Sequence, residues 1–328
     1  MTRPRARKIP IGVFDPVYAD LSLDEMLEKV SALGLETMEI ATGGYPGNPH
    51  CPVETLLADA AKLKAWKKKF DDSGLRVATF SCHGNPHPNP AIANRDAETF
   101  RRTVLLAERA GVEVIVGFAG CPGASAADKN PSWIIYRWPP EYAAALDWQW
   151  KERVIPYWKK AAAFARQHGI RKIALEMHPN FVVYNLRTLL KLRAAVGEEI
   201  GANSDPSHLF WQQCDPVQVV HLLAKEGALF HAHMKDTVLE KRNVDRHGVL
   251  NFGFVKNEIA GASDYFRAVG YGHGAETWKA ILRAHMEAGY QGIVSIENED
   301  AQLEGPVGVE RAAFVLKNIR DELLAEAG

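Results

Sequence analysis

The feature that most constrains the fold is a regular alternation of short apolar segments with longer stretches of helical periodicity. Eight apolar or β-branched segments are predicted to be strands, namely Ile9–Phe14, Leu35–Ala41, Leu75–Ser81, Val112–Phe118, Ile170–Met177, Ile200–Ser204, Ala228–Met234 and Gly292–Glu297. A helical stretch follows each strand. This count indicates an α/β fold, a (β/α)8 barrel, and a length of 328 residues suits one such barrel as a single domain over residues 1–328.

The helix boundaries support this organisation. A helix is predicted over Ser22–Leu33, since Ser22 stands three residues before Glu25 as in a capping box. Further helices are predicted to end just before a glycine: Val53–Ser73 before Gly74, Asp96–Ala110 before Gly111 and Glu152–His168 before Gly169. An open doubly wound sheet is the alternative, but no glycine-rich phosphate loop follows the first strand.

Two connections are unusually long, so the barrel is expected to carry enlarged loops after strands 4 and 7. The first, Ala119–Lys151, contains four of the eight tryptophans, and the second is Lys235–Gly274. Long loops in compact domains are usually lids or binding loops, and in a barrel they would lie at the catalytic face. A contact between subunits of a homo-oligomer is the alternative for the tryptophan-rich segment.

Charge and cysteine usage exclude several classes of protein. The 39 Lys+Arg against 40 Asp+Glu leave a net charge of −1, which argues against binding to nucleic acid or to a membrane surface. The four cysteines show no C-x-x-C spacing, so neither a zinc ribbon nor a disulfide framework is expected. No apolar run is long enough to span a membrane, and no signal peptide is expected. We therefore expect a cytoplasmic enzyme.

Polar residues lie at the ends of four consecutive predicted strands, on the side that forms the catalytic face of a barrel. A buried carboxylate is costly unless it is paired or bound to a metal, so a shared metal site is predicted. The predicted ligands are Glu176, Asp205, His233 and Glu297. Mostly oxygen donors with one nitrogen favour one divalent ion, Mn²⁺ first, then Mg²⁺ or Co²⁺, and Zn²⁺ is also compatible. His231 is expected on the same face of the predicted strand as His233, but one layer deeper in the barrel.

Four motifs carry a family resemblance: Glu-x-His-Pro at Glu176, Asp-Pro-Ser-His at Asp205, His-x-His-x-Lys-Asp at His231 and Ser-Ile-Glu-x-Glu-Asp ending at Asp300. In this order they resemble the sugar phosphate isomerase/epimerase superfamily, the xylose isomerase-like TIM barrels, which is related to the type IV AP endonucleases. The resemblance covers nearly the whole chain. It implies the same four metal ligands.

The resemblance also implies residues that touch substrate. His208 matches the second histidine of the family, and Ser81–Asn85 resembles a stretch of the sugar-active branch that would place His83 in the site. Arg267 resembles a substrate-facing arginine, although Val269 replaces the family's proline. An ion pair that anchors a loop is the alternative role for Arg267.

The implied chemistry is proton transfer next to the carbonyl of a sugar or keto-sugar. A divalent ion would act as Lewis acid and stabilise an enediolate, while Glu176 and Glu297 move the proton, as in an isomerase or epimerase. His178 is the competing base, and Lys235 could stabilise an oxyanion. A histidine base would allow β-elimination, which defines a lyase or hydratase acting on a 3-keto-glycoside.

An AP endonuclease-like phosphodiesterase is the remote alternative. Val244–His247 resembles the Asp-Arg-His motif of those nucleases, so a second metal at Asp245 and His247 stays open. Strand four, however, ends in Gly117–Gly120 without a histidine, and the neutral charge suits a small sugar better than DNA. We therefore expect His247 to contact substrate. A non-enzymatic binding protein is disfavoured because all four ligands are present.

Overall fold

The computed structural model of the chain describes residues 7–87, 90–251 and 259–327. Eight parallel strands close into a barrel in the order β1-β10-β7-β6-β5-β4-β3-β2, which confirms the predicted (β/α)8 architecture. The barrel strands are β1 (Ile11–Phe14), β2 (Thr37–Ala41), β3 (Arg76–Ser81), β4 (Val114–Gly117), β5 (Lys172–Glu176), β6 (Ile200–Ser204), β7 (Leu229–Met234) and β10 (Val294–Ile296). Two further strands, β8 (Asp236–Leu239) and β9 (Asp264–Arg267), pair antiparallel outside the barrel.

All eight predicted strands are present, but most are shorter than predicted. Ile9 and Leu35, for example, belong to predicted strands and lie outside the observed ones, yet both are buried. Apolar side chains report burial rather than hydrogen-bonded pairing, so a pattern of apolar residues extends past the ends of the ladder.

Helices cover much of the remaining chain. In the described residues these are α1 (Leu23–Ala32), α2 (Val53–Ala58), α3 (Ala60–Asp72), α4 (Pro90–Ala110), α5 (Pro140–Trp148), α6 (Ile155–Gln167), α7 (Leu186–Val196), α8 (Pro206–Trp211), α9 (Pro216–Lys225), α10 (Lys241–His247), α11 (Ala275–Glu287) and α12 (Gly305–Ala327). The predicted capping box is confirmed, since Ser22 and Glu25 exchange hydrogen bonds at the start of α1. Gly74, Gly111 and Gly169 follow their helices with positive φ of 69°, 74° and 78°, as predicted.

The prediction of one helix over Val53–Ser73 is wrong. The chain leaves helical conformation at Asp59, with φ −138° and ψ 107°, and α3 begins directly after it. The Asp59 carboxylate accepts hydrogen bonds from the backbone N–H groups of Ala61 and Lys62 at 2.9 and 3.1 Å. The aspartate therefore caps a new helix rather than continuing the preceding one.

The two long connections contain more regular structure than the sequence indicates. The segment after β4 includes α5 and a π-helical turn over Gln149–Val154. The segment after β7 includes the β8–β9 hairpin and α10, while residues 252–258 lie outside the described part of the chain. Neither connection is a structureless loop.

The chain divides into two compact units, one of residues 1–38, 73–76 and 204–328 and the other of residues 39–72 and 77–203. Trp278, Ile11 and Met26 are fully buried in the first unit. Phe70 and Phe80 are buried in the second. The single domain over residues 1–328 stays a prediction. Within the described residues, no helix is long and apolar enough to cross a membrane.

Candidate metal centre

Asp205 lies immediately after β6 and caps the helix that follows. Its Oδ1 accepts a hydrogen bond from the backbone N–H of Ser207 at 2.8 Å, and Pro206 occupies the first helical position, where no N–H is needed. Its Oδ2 lies 3.4 Å from Nε2 of His208 and 3.2 Å from Nζ of Lys235. The capping bond therefore holds a buried carboxylate at the end of its strand.

Strand β7 and the residue directly after it present three polar side chains on one face. His231, His233 and Lys235 alternate along the chain, and all three are almost completely buried. The His233 ring stacks on Phe14, with ring centroids 5.8 Å apart, and its Nδ1 lies 3.0 Å from Oε2 of Glu297. Packing and this polar contact together orient the imidazole.

Lys235 is surrounded by carboxylates. Its Nζ lies 3.2 Å from Asp205, 2.5 Å from Glu297 and 3.1 Å from Glu299. Glu299 is half exposed, whereas Glu297 is largely buried. The ammonium therefore neutralises part of the negative charge that the barrel buries here.

In the second unit, Glu176 closes β5 and is 1% exposed. Its Oε2 accepts a hydrogen bond from Nδ2 of Asn203 at 3.1 Å and lies 3.2 Å from Nε2 of His83. The His83 ring packs edge-on against Phe118 at 4.5 Å. His83, which the family resemblance places at the substrate, thus contacts the predicted metal ligand Glu176.

His178 follows Glu176 on the same face and is only half-buried. Its Nδ1–H donates to the carbonyl of Pro179 at 2.5 Å, and its ring lies 4.8 Å from Phe118 and 5.4 Å from Phe181. A proton held at Nδ1 makes Nε2 the basic nitrogen of this imidazole.

The structure brings the four predicted ligands together. One donor atom from each lies within 4.8 Å of the others, in what we call the four-donor group: Glu176, Asp205, His233 and Glu297. The donors are three carboxylates and one imidazole, nearly all buried, a set that suits a hard divalent cation. Lys235 is one positive charge beside several carboxylates, so a divalent ion fits the charge of the group as well as its chemistry.

Two further donor groups occur among the described residues. One consists of Glu176, His178 and His208, and the other of Glu39, His231 and His233. The first brings the predicted base His178 and the predicted substrate contact His208 to the same carboxylate. The second contains Glu39, which sequence reasoning missed.

Arg267 and His247 lie in different surroundings. Nε of Arg267 lies 3.0 to 3.2 Å from the carboxylate of Asp300. The structure therefore contains an ion pair of the kind expected for the alternative role of Arg267, in which it anchors a loop. His247 ends α10 and is exposed, and the nearby Asp245 pairs with Lys241 at 2.7 Å. Neither His247 nor Asp245 belongs to a donor group of the described residues, and their roles stay predictions.

Two buried polar residues of the site had a usable sequence signal. Glu39 is completely buried in β2 and accepts a hydrogen bond from the hydroxyl of Ser81. Asn203, in β6, orients Glu176. Both are polar residues inside apolar strands, which is the same signal that identified Glu176 and Glu297.

Asp236 ends the His-x-His-x-Lys-Asp motif, but nothing in the sequence indicates its partners. This completely buried carboxylate accepts hydrogen bonds from the backbone N–H groups of Gly270, Gly272 and His273 at 2.9 to 3.0 Å, and from the indole of Trp278 at 3.0 Å. These four partners lie more than thirty residues away along the chain. Only the folded chain therefore shows that it holds the turn before α11.

Comparisons with known proteins agree with this fold. The chain is 34% identical over 299 residues to the uncharacterized protein YfiH of Bacillus subtilis (strain 168). The match covers 90% of this chain and 95% of that protein. A D-tagatose 3-epimerase-like protein matches with a TM-score of 0.64 and 20% identity over 96% of this chain and 100% of its own. The probable 3-DHS dehydratase AsbF of Bacillus anthracis matches with a TM-score of 0.64 and 16% identity over 94% of this chain and 99% of its own.

These two structural likenesses show a shared fold. The family model described as xylose isomerase-like TIM barrel matches residues 27–319, which is most of the chain. The family resemblance read from the four strand-end motifs is thereby confirmed. The chain belongs to the xylose isomerase-like TIM barrel family.

Proposed function

We propose that this protein is a metal-dependent isomerase or epimerase that moves a proton on the carbon next to the carbonyl of a sugar or keto-sugar. The observation that carries the proposal is the four-donor group, whose donor atoms lie within 4.8 Å of one another. A structural neighbour supports the substrate class, because a solved structure of the same fold is a D-tagatose 3-epimerase-like protein.

The residues of the four-donor group would hold one divalent ion, with Mn²⁺ the first choice for this donor set. When bound, the ion supplies Lewis-acid stabilisation of the negative charge that develops on the substrate oxygens. Lys235, buried beside Asp205 and Glu297, adds a second positive charge toward which developing negative charge would be attracted.

Glu176 and Glu297 are the proposed proton-transfer groups. Glu176 is oriented by Asn203, and Glu297 by Lys235 and His233. Both carboxylates lie at the ends of barrel strands, so rigid elements hold them in place. Proton transfer to and from a substrate carbon requires such fixed positions. Removal of the proton by one carboxylate and its return by the other to the opposite face of the same carbon would invert that stereocentre, as in an epimerase. Its return to the former carbonyl carbon, with a proton passing between the two substrate oxygens, would move the carbonyl, as in an isomerase.

A lyase or hydratase acting on a 3-keto-glycoside by β-elimination is the second candidate. His178 favours it, because this half-buried imidazole shares a donor group with Glu176 and His208 and has Nε2 as its basic nitrogen. A probable dehydratase has the same fold. After loss of the proton, the leaving group at the β carbon would depart with its bonding electrons.

The two reactions are separated by incubating the Mn²⁺-loaded protein in D₂O with ketohexoses and, separately, with 3-keto-glycosides. Deuterium gained at the carbon next to the carbonyl without release of the aglycone supports the isomerase or epimerase. Release of the aglycone supports the lyase. If neither substrate class exchanges deuterium or loses its aglycone, the proposal is wrong.

Variants test the assigned residues. Glu176→Gln and Glu297→Gln should each lower turnover by at least about a hundredfold, the usual contribution of a proton-transfer group. Glu304→Gln, an exposed carboxylate of the same region as Glu297, should leave turnover unchanged. Full activity in either of the first two variants would contradict the assignment.

Two wider expectations belong to this proposal. The described cysteines are all free thiols, which supports the cytoplasmic setting expected from their spacing. The nuclease alternative gains no support, because Asp245 and His247 are exposed and join no donor group of the described residues. Cleavage of abasic DNA that a chelator abolishes would revive it.

A further inference from the structure

A cavity lies in the unit of residues 39–72 and 77–203. Its volume is about 470 Å³, which is the size of a small-molecule site. Residues of the segment after β4, the π-helical turn, the β5–α7 loop and the first turns of α7 line it. None of its lining residues belongs to the four-donor group.

The walls of this cavity are aromatic and apolar. Trp133 meets Tyr184 edge-on, with ring centroids 5.4 Å apart and an interplanar angle of 87°. Trp150 is almost fully buried and forms part of the lining together with Ile134 and Val182. Such surfaces favour a ligand with a planar apolar body.

The polar lining is predominantly cationic. Arg137, Arg187 and Lys191 contribute three positive charges, and Lys191 places its ammonium 3.9 Å from the ring centroid of Trp150. Asp147 pairs with Arg137 at 3.1 Å, but no carboxylate among the described residues pairs with Arg187 or Lys191. The cavity therefore carries an excess of positive charge.

The electrostatics of this surface agree with that excess. Burial lowers the pKa of Lys191, and the positive charges of Arg137, Arg187 and Lys151 lower it further, while Asp147 opposes them. Arg187 and Lys191 stand four residues apart on α7, so they share one face of the helix. An anion in the cavity would relieve the repulsion among these cations.

We propose that this cavity binds a small organic anion, a carboxylate or a phosphate ester, that carries a planar apolar body. The anionic group would lie between Arg187 and Lys191, since a guanidinium recognises carboxylate and phosphate oxygens in pairs. The planar body would pack against Trp133 and Tyr184. The proposal is independent of the reaction at the four-donor group, because none of that group's residues lines this cavity.

Isothermal titration calorimetry with naphthoate as the probe tests it. We expect one saturable site whose affinity is at least about tenfold weaker for the neutral naphthamide, and no detectable binding of acetate, which lacks the planar body. Arg187→Gln and Lys191→Gln should each weaken naphthoate binding about fivefold, because water and salt screen these exposed cations, and added salt should weaken it further.

Lys64→Gln is the matched control. Lys64 lies beside other cations on a different concave surface, near Lys67 and Arg109, which lacks aromatic walls, so naphthoate binding should be unchanged. His233→Gln should also bind naphthoate normally, whereas it should lose turnover. Equal binding of naphthamide, no effect of the two cavity variants, or lost binding in His233→Gln would each overturn the proposal.

Discussion

At the scale of single residues, Lys235 compensates part of the negative charge of the candidate metal centre. Its side chain is 2% exposed, and carboxylates of Asp205, Glu297 and Glu299 surround its ammonium. A buried cation of this kind cannot be removed without leaving carboxylates that lack compensation. Its contribution should therefore depend on whether a metal ion is also present.

Lys235→Gln should destabilise the metal-free protein by about 3 to 5 kcal/mol, the usual cost of breaking a buried ion pair. Added Mn²⁺ should recover more stability in the variant than in the wild type, because the ion then supplies the missing positive charge. Urea unfolding with EDTA or with Mn²⁺ measures both effects. Lys279→Gln, whose partners Glu322 and Glu326 are exposed, should cost less than about 1 kcal/mol. Equal losses in the two variants would contradict this account.

His87 links stability to pH at one buried position. Burial lowers the pKa of His87 from 6.5 to about 3, and the imidazole lies 3.1 Å from the carbonyl of Ala119. Between pH 6.5 and about pH 3, the imidazole of His87 therefore binds a proton in the unfolded chain but not in the folded chain. The stabilisation is complete above pH 6.5 and is lost as the pH falls toward 3.

His87→Gln should remove this dependence. Between about pH 7 and about pH 4.5, the wild type should lose about 2 to 3 kcal/mol more of its free energy of unfolding than the variant. Urea unfolding at the two pH values measures the difference, and the exposed His221→Gln is the control. A variant that loses as much stability as the wild type over this interval would show that His87 titrates normally.

At the scale of elements, the turn between β9 and α11 depends on one carboxylate. Asp236, at the start of β8, accepts hydrogen bonds from Gly270, Gly272 and His273 of this turn. The imidazole of His273 also contacts Asp236 at 2.8 Å and stacks on Phe210 at 3.7 Å. A hairpin strand and a distant turn are thus joined by a single buried side chain.

Asp236→Asn should cost about 2 to 4 kcal/mol, because several hydrogen bonds to a buried charge are weakened together. Hydrogen exchange should accelerate most at the amides of Gly270, Gly272 and His273. Asp245→Asn, on the exposed helix α10, should change neither quantity. Unchanged protection of the three amides in Asp236→Asn would exclude the proposed role.

At the scale of the whole molecule, metal binding should be coupled to folding. The four-donor group draws on strands β5, β6, β7 and β10 or the residues directly after them, so only the folded chain can assemble it. A ligand that binds the folded state alone stabilises it by about 2.7 kcal/mol at a hundred times its Kd. Mn²⁺ should therefore raise the Tm in a concentration-dependent manner, and EDTA should reverse the rise.

Asp205→Asn is the variant that separates this effect from structure. Asparagine still caps α8, so the helix is retained while one charged ligand is lost. The Tm without metal should change little, because Lys235 keeps Glu297 and Glu299 as partners, whereas the rise with Mn²⁺ should be much smaller. The same rise in variant and wild type would place the ion elsewhere.

The sequence predicted the barrel, and the residues that form the four-donor group, through signals that are local. Alternating strand and helix periods gave eight strands, and carboxylates next to apolar strands identified Glu176 and Glu297. Strand parity selected His233, which does join the four-donor group. Glu39 was not predicted, because it lies in the middle of its strand, whereas the prediction rested on polar residues at strand ends.

Tertiary structure decided what depends on residues far apart in the chain. Arg267 could face a substrate or anchor a loop, and only folding brought Asp300 to it. His83 carried a family resemblance, and only folding placed it against Glu176. The barrel could be predicted from the sequence, because the spacing of apolar residues distinguishes strands from helices within a few neighbouring residues. The partner of each buried charge depends on the fold. Burial makes a partner necessary, and the tertiary structure determines which polar group lies close enough to be that partner.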